Sequence, residues 1–321
     1  MSWVLIAILA YLILAVVSLG DKFLVDGVIK STKAYAFAVG VLGAIVIVIA
    51  PWFLHWSSFS NLIFDLGVGI LFPLALYFTY LALKLGEASR SLILIGSMTP
   101  IFTLPLSLWI FSEQILVKSL IGALFLLGGS FVMVLIARKD NFIHNVGHLF
   151  GIKRKQNKSR RATVYAVIAA FIFAWFFVGS KVAYNHEEFF SAFIWLRLGG
   201  LLGALLFIVR AADRKEVFSA LWPKKSWLKL SRKQKKPQFL ILGNQALGAT
   251  GFVLQNYAIS LGSVAIVNAL QGVQYAALML FSAVLSIFYP KIFKEDLSPI
   301  IIWKKIGALI LVAVGLYIIA I

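Results

Sequence analysis

The sequence predicts an all-α integral membrane protein, ten transmembrane helices arranged as two inverted five-helix repeats. Three observations carry that prediction. The chain of 321 residues is 61% hydrophobic and only 13% charged, with a mean hydropathy of +0.96. A soluble domain of this size has too little interior to hide so much apolar surface, so lipid must be the solvent. A polar stretch at 138–161 (RKDNFIHNVGHLFGIKRKQNKSRR) is the first long hydrophilic break, with five apolar segments before it and five after. The two sets then repeat one another.

A spanning helix needs about 20 mostly apolar residues. Such segments fall at roughly 3–22, 34–54, 62–83, 91–111, 119–137, 162–184, 191–209, 239–259, 264–288 and 302–320. The first lacks a basic leader and a small-residue cleavage site, so it reads as a retained span. Residues 1–137 form the first half, 138–161 a basic linker and 162–321 the second half. Short links such as Asn185–Phe190 and Ser260–Ser263 force antiparallel neighbours.

Lysine and arginine set the orientation. Of thirty, 27 lie in or beside the links after odd-numbered spans, one (Lys118) follows an even-numbered span, and Lys181 and Arg197 lie within spans. Basic links stay in the cytoplasm, so 138–161 and 210–238 are expected there, in a multi-pass protein of the cell membrane with both termini outside. The net charge of +18 then marks contact with anionic lipid, and nucleic acid is not an expected partner. The ten cations of 210–238, interleaved with Trp222 and Trp227, suit a loop lying on the bilayer. There is no cysteine, which excludes disulfides and thiolate metal sites.

The halves align at the level of residues. Leu85-Gly86 matches Leu261-Gly262, and Gly96 falls on Gly272 at the same offset. Gly20, Lys22 and Gly40 fall on Gly179, Lys181 and Gly199. Five spans per half is an odd number, so the second copy enters the membrane upside down. Inverted repeats are the architecture of alternating-access transporters, with the substrate held near the midplane between the halves.

The fourth span reads SLILIGSMTPIFTLPLSLWIFSEQ, with a mid-span Pro100 and a terminal Glu113, and a Gly122-Ala123 span follows. With ten spans in two halves, this resembles the drug/metabolite transporter superfamily, in particular its EamA-like members, over essentially the whole chain. The resemblance implies that fold and a transport function, and says little about substrate. Departures are Ala276 in place of the second mid-span proline and a terminal Glu displaced to Glu295. The cytoplasmic amino terminus usual in such proteins also disagrees with the charge count, which we keep.

Ionisable groups within a span are costly and therefore candidate sites. Lys22, Lys181 and Arg197 qualify, and cations facing a cavity bind carboxylate or phosphate. Their bland alternatives are snorkelling for the lysines and pairing with Glu187 or Glu188 for Arg197. The second half is rich in amides. Asn268, Gln271 and Tyr275 share a helix face, and Gln255 and Asn256 precede them. Carboxamides donate and accept, so they can read a polar metabolite, or they can join helices. Tyr80 with Tyr77, and Thr99 with Thr103, are the first half's contribution. Asp65, one turn after Asn61, is a candidate coupling carboxylate whose simpler reading is an interfacial cap. His144 and His148 lack a third metal ligand. No P-loop, nucleophile elbow or paired aspartates appear, so neither an enzyme nor a cofactor is expected.

The reading is a secondary or facilitative transporter for a small polar metabolite, an amino acid or other carboxylate favoured, with lipids as neighbours and a monomer or homodimer as the unit. Its alternatives are a flippase for a lipid-linked headgroup and efflux of hydrophobic drugs.

Overall fold

A computed structural model describes residues 2–25, 31–85, 88–111, 117–129, 132, 153–221, 232–288 and 299–320, and every element in them is helical. The helices are α1 (Ser2–Val25), α2 (Thr32–Gly43), α3 (Ala50–Phe53), α4 (Phe59–Leu85) and α5 (Ala88–Phe111), then α6 (Val117–Gly129). They continue with α7 (Lys153–His186), α8 (Phe189–Leu205), α9 (Ala211–Leu221), α10 (Arg232–Leu261), α11 (Val264–Ala269), α12 (Gln271–Phe288) and α13 (Pro299–Ala320). The side chain of Lys22, together with Glu113, His144, His148, Trp222, Trp227 and Glu295, lies outside the described residues.

Among the described residues, six helical stretches are long and apolar enough to cross a membrane: Thr32–Phe53, Phe59–Leu85, Leu94–Phe111, Arg160–His186, Phe189–Ile208 and Val264–Phe281. Three shorter apolar helices are Trp3–Leu19, Val117–Gly129 and Ile306–Ile319. Their outer surface is greasy. Leu5, Ile45, Val48, Leu124 and Ile310 are exposed, and Trp52, Trp56 and Trp109 project outward. Water would penalise such a surface and lipid does not, while indole rings suit the headgroup layer. The chain is an all-α, multi-pass membrane protein.

Several boundaries differ from the sequence expectation for local reasons. α7 begins at Lys153 because the basic run ahead of it is built of good helix formers. The second span changes to 3-10 geometry over Ala44–Ile49 before Pro51 opens α3. The ninth span is interrupted at Leu270, between α11 and α12. The basic loop 210–238, expected to lie flat, starts with a helix docked on α2. In that contact Lys33 pairs with Asp213 at 2.6 Å and Ser31 Oγ donates to Glu216 at 2.7 Å.

α1 packs against α10 and α12, and α7 packs against α4 and α5. α8 lies on α4 and α2, and α11 on α5. Small residues let these helices touch backbone to backbone. A Cβ on Gly69 would strike the Leu196 carbonyl, and one on Gly199 would strike that of Leu66. α6 meets α13 in the same way: a Cβ on Gly122 would come within 2.9 Å of the Gly315 carbonyl.

Candidate functional site

Helices α11 and α12 supply the polar wall facing α5. Asn268 Nδ2 donates to Thr103 Oγ1 at 3.3 Å. One and two turns further on, Gln271 and Tyr275 flank Gly96, where any Cβ would collide with the Tyr275 hydroxyl. The spacing seen in the sequence therefore does put these three residues on one face. Pro100 lacks an N–H, so the Gly96 carbonyl loses its helical donor at the level where Tyr275 approaches. Thr103 and Thr99 return their hydroxyl protons to their own helix, at 2.8 Å each. Asn268 is fully buried, and its Oδ1 has no hydrogen-bond partner.

The amides of α10 are held from two sides. Gln255 Nε2 donates to the Tyr11 hydroxyl at 3.2 Å, and Tyr11 donates to the Val267 carbonyl at 2.9 Å. Tyr184 on α7 donates to Asn256 Oδ1 at 3.0 Å. Gln255, Asn256, Tyr11 and Tyr184 are all buried. Tyr11 and Tyr184 did not stand out in the sequence. A lone tyrosine in the otherwise aliphatic run Val4–Val17 was the available signal, since a buried phenol needs a partner.

Arg197 occupies the centre of α8 and is partly buried. Its guanidinium carbon lies 4.1 Å from the ring centroid of Phe252, 4.8 Å from Phe72 and 5.0 Å from Phe193. The rings come from α10, α4 and α8. On the fourth side the guanidinium meets Gly43, where a Cβ would lie 3.3 Å from Nη1. Pairing with Glu187 or Glu188 does not occur. Arg197 makes no ion pair or hydrogen bond among the described residues; the ion pairs found there are Lys33–Asp213 and His55–Glu188. The cation is held by ring quadrupoles, each worth about 0.5–2 kcal/mol, and its five N–H donors remain available.

The other sequence candidates stand apart. Lys181 Nζ donates to the Ser260 carbonyl at 3.0 Å, in the last turn of α10, where a cation meets the negative end of the helix dipole. Tyr80 packs edge-on against Tyr35 at 4.3 Å, whose hydroxyl accepts from Gln245 at 3.3 Å. Asp65 is not an interfacial cap. It lies inside α4 at 1% exposure, because α7 and α8 close over that end of α4.

No family model matches the chain, and no curated protein matches it. A solved structure does. A crystal structure of a protein with 16% identity superposes with a TM-score of 0.61, covering 98% of this chain and 98% of its own. At that identity the match concerns the fold alone, and it extends over the whole chain.

Proposed function

We propose that the protein is a secondary or facilitative transporter of the EamA-like type, with ten spans in two inverted halves, moving a small carboxylate-bearing metabolite by alternating access. The carrying observation is Arg197: a guanidinium inside the bundle with no counterion among the described residues, ringed by Phe72, Phe193 and Phe252. A cation in low dielectric without an acid costs several kcal/mol. Membrane proteins keep such groups where an ion or substrate passes. A guanidinium fork binds carboxylate through two parallel hydrogen bonds. The unpartnered Oδ1 of Asn268 supplies an acceptor suited to an ammonium, which favours an amino acid among carboxylates.

The packing supports the two-halves reading. α1 on α10 and α12 is mirrored by α7 on α4 and α5. Exchanging the halves turns one set of contacts into the other. The mirror is incomplete, most plainly where α8 packs tightly on α4 whereas its counterpart α2 reaches α10 through Tyr35 and Gln245. One closed and one loose seam is the asymmetry that alternating access requires.

The test is a thermal-shift screen of purified protein against amino acids, organic acids, sugars, nucleotides and lipophilic cations, on wild type and Arg197→Ala. A ligand at 100 times its Kd adds about 2.7 kcal/mol of stability. Carboxylates should stabilise wild type and leave Arg197→Ala unmoved. Stabilisation by lipids or lipophilic cations alone, equal in both proteins, refutes the anion site and favours the flippase or efflux alternative.

A further inference from the structure

Gly43 is a glycine that its backbone does not require. It closes α2 with φ −59° and ψ −30°, right-handed helical values that any residue adopts. Helix packing does not require it either. One turn back, a Cβ on Gly40 would overlap that of Ala204 and come within 3.1 Å of the Gly200 carbonyl, so Gly40 lets α2 lie against α8. A Cβ on Gly43 would meet a single residue, Arg197, with Nη1 at 3.3 Å and Cδ at 3.5 Å. Among the described glycines, Gly43 is the one whose missing side chain faces a charged group.

The space left there is the open side of the guanidinium. Phe72, Phe193 and Phe252 occupy its other sides. The side chains near Gly43 on its own span turn away, with Val41, Leu42, Ile45 and Val48 exposed. Gly43 and Arg197 are both partly exposed, so the notch between them is not sealed. Directly behind it the chain runs in 3-10 geometry from Ala44 to Ile49, a form that marks hinges when it interrupts a helix. A carboxylate oxygen bonded to a guanidinium sits about 2.7–2.9 Å from the nitrogen. A Cβ at 3.3 Å from Nη1 would stand in that same shell and displace the oxygen.

We propose that Gly43 is a specificity-determining residue: an anionic head group docks on Arg197 in the space beside it, and the lack of a side chain there sets the size of head group admitted. The proposal rests on the anion-site reading above and names the place where the anion lies. A carboxylate is flat and matches the guanidinium fork edge to edge, which is the shape a notch between a helix backbone and a planar cation accepts.

The docking space is tested without substrate. The chain has no cysteine, so Gly43→Cys sets a single thiol in the notch. The protein in lipid is labelled with two methanethiosulfonates, one ending in a sulfonate and one in a quaternary ammonium. The ratio of the anionic to the cationic rate should fall several-fold when Arg197→Met is added, because the guanidinium draws one reagent and repels the other. Equal ratios with and without Arg197 overturn the proposal, as does a thiol that neither reagent reaches. Size selection is read by thermal shift with leucine, glutamate and succinate. Gly43→Ala and then Gly43→Val should need progressively more ligand for the same shift, about 10-fold or more for valine. Gly307→Ala, whose Cβ meets nothing within 4 Å, should respond as wild type does, and the melting temperatures of the free variants separate a folding defect from a lost ligand. A carboxylate that stabilises wild type, Gly43→Ala and Gly43→Val alike overturns the role of Gly43 and leaves the anion site standing. No stabilisation of wild type by any of the three, with labelling still dependent on Arg197, sinks the carboxylate reading and leaves the notch as a docking place for another anion.

Discussion

Two glycines of α4, one turn-half apart, offer a matched experiment. A Cβ on Gly67 meets nothing within 4 Å, because that residue faces outward. A Cβ on Gly69 overlaps the Leu196 carbonyl oxygen and comes within 2.7 Å of the Gly199 Cα. Both obstacles are backbone, so no rotamer change relieves them and α4 must move away from α8. Either glycine replaced by alanine gains about 0.5–1 kcal/mol of helix propensity. The difference between the two variants therefore isolates the clash, and overpacking of this kind costs about 1–3 kcal/mol. At about 2 °C per kcal/mol for a chain of this size, Gly67→Ala should melt at or slightly above wild type. Gly69→Ala should melt roughly 2–6 °C below Gly67→Ala. Tryptophan fluorescence during heating in detergent reads this directly, since the chain has nine tryptophans. Equal melting temperatures would refute the backbone contact between α4 and α8, and with it the closed seam invoked for alternating access.

Arg197→Met keeps the length of the side chain and its packing among Phe72, Phe193 and Phe252 while deleting an unpaired charge. Because the three rings offset much of the desolvation cost, its melting temperature should stay within the equivalent of about 1 kcal/mol of wild type while its response to carboxylates is lost; a carboxylate response equal to wild type would refute the anion site. Tyr11→Phe removes a donor to the Val267 carbonyl and an acceptor for Gln255, and should cost about 1–3 kcal/mol in chemical denaturation without altering ligand specificity. Lys181→Met loses the bond to the end of α10. It should cost about 1 kcal/mol and leave carboxylate-induced stabilisation intact, and abolition of that stabilisation would return Lys181 to the binding site. Gly96→Ala would drive a methyl into the Tyr275 hydroxyl and should weaken ligand-induced stabilisation more than it lowers the melting temperature of the free protein.

Composition and hydropathy sufficed for the membrane class, because every spanning segment must be apolar by itself whatever it packs against. The same local logic exposed Arg197, since a cation in an apolar run stands out without knowledge of its neighbours. It exposed the shared face of Asn268, Gln271 and Tyr275, since helical spacing is a property of one segment. What surrounds these residues was not legible. The cage on Arg197 is drawn from Phe72, Phe193 and Phe252, three of 27 phenylalanines, and nothing local separates them from those that face lipid. Gly69 and Gly199 read alike with Gly67, yet only the crossing of α4 and α8 decides which hydrogen atom has a carbonyl against it. Asp65 looked like a cap because burial is decided by the helices that close over a position, here α7 and α8. The sequence alone determined which groups are costly in a membrane; the tertiary structure decided how each is compensated, because compensation comes from helices far apart along the chain.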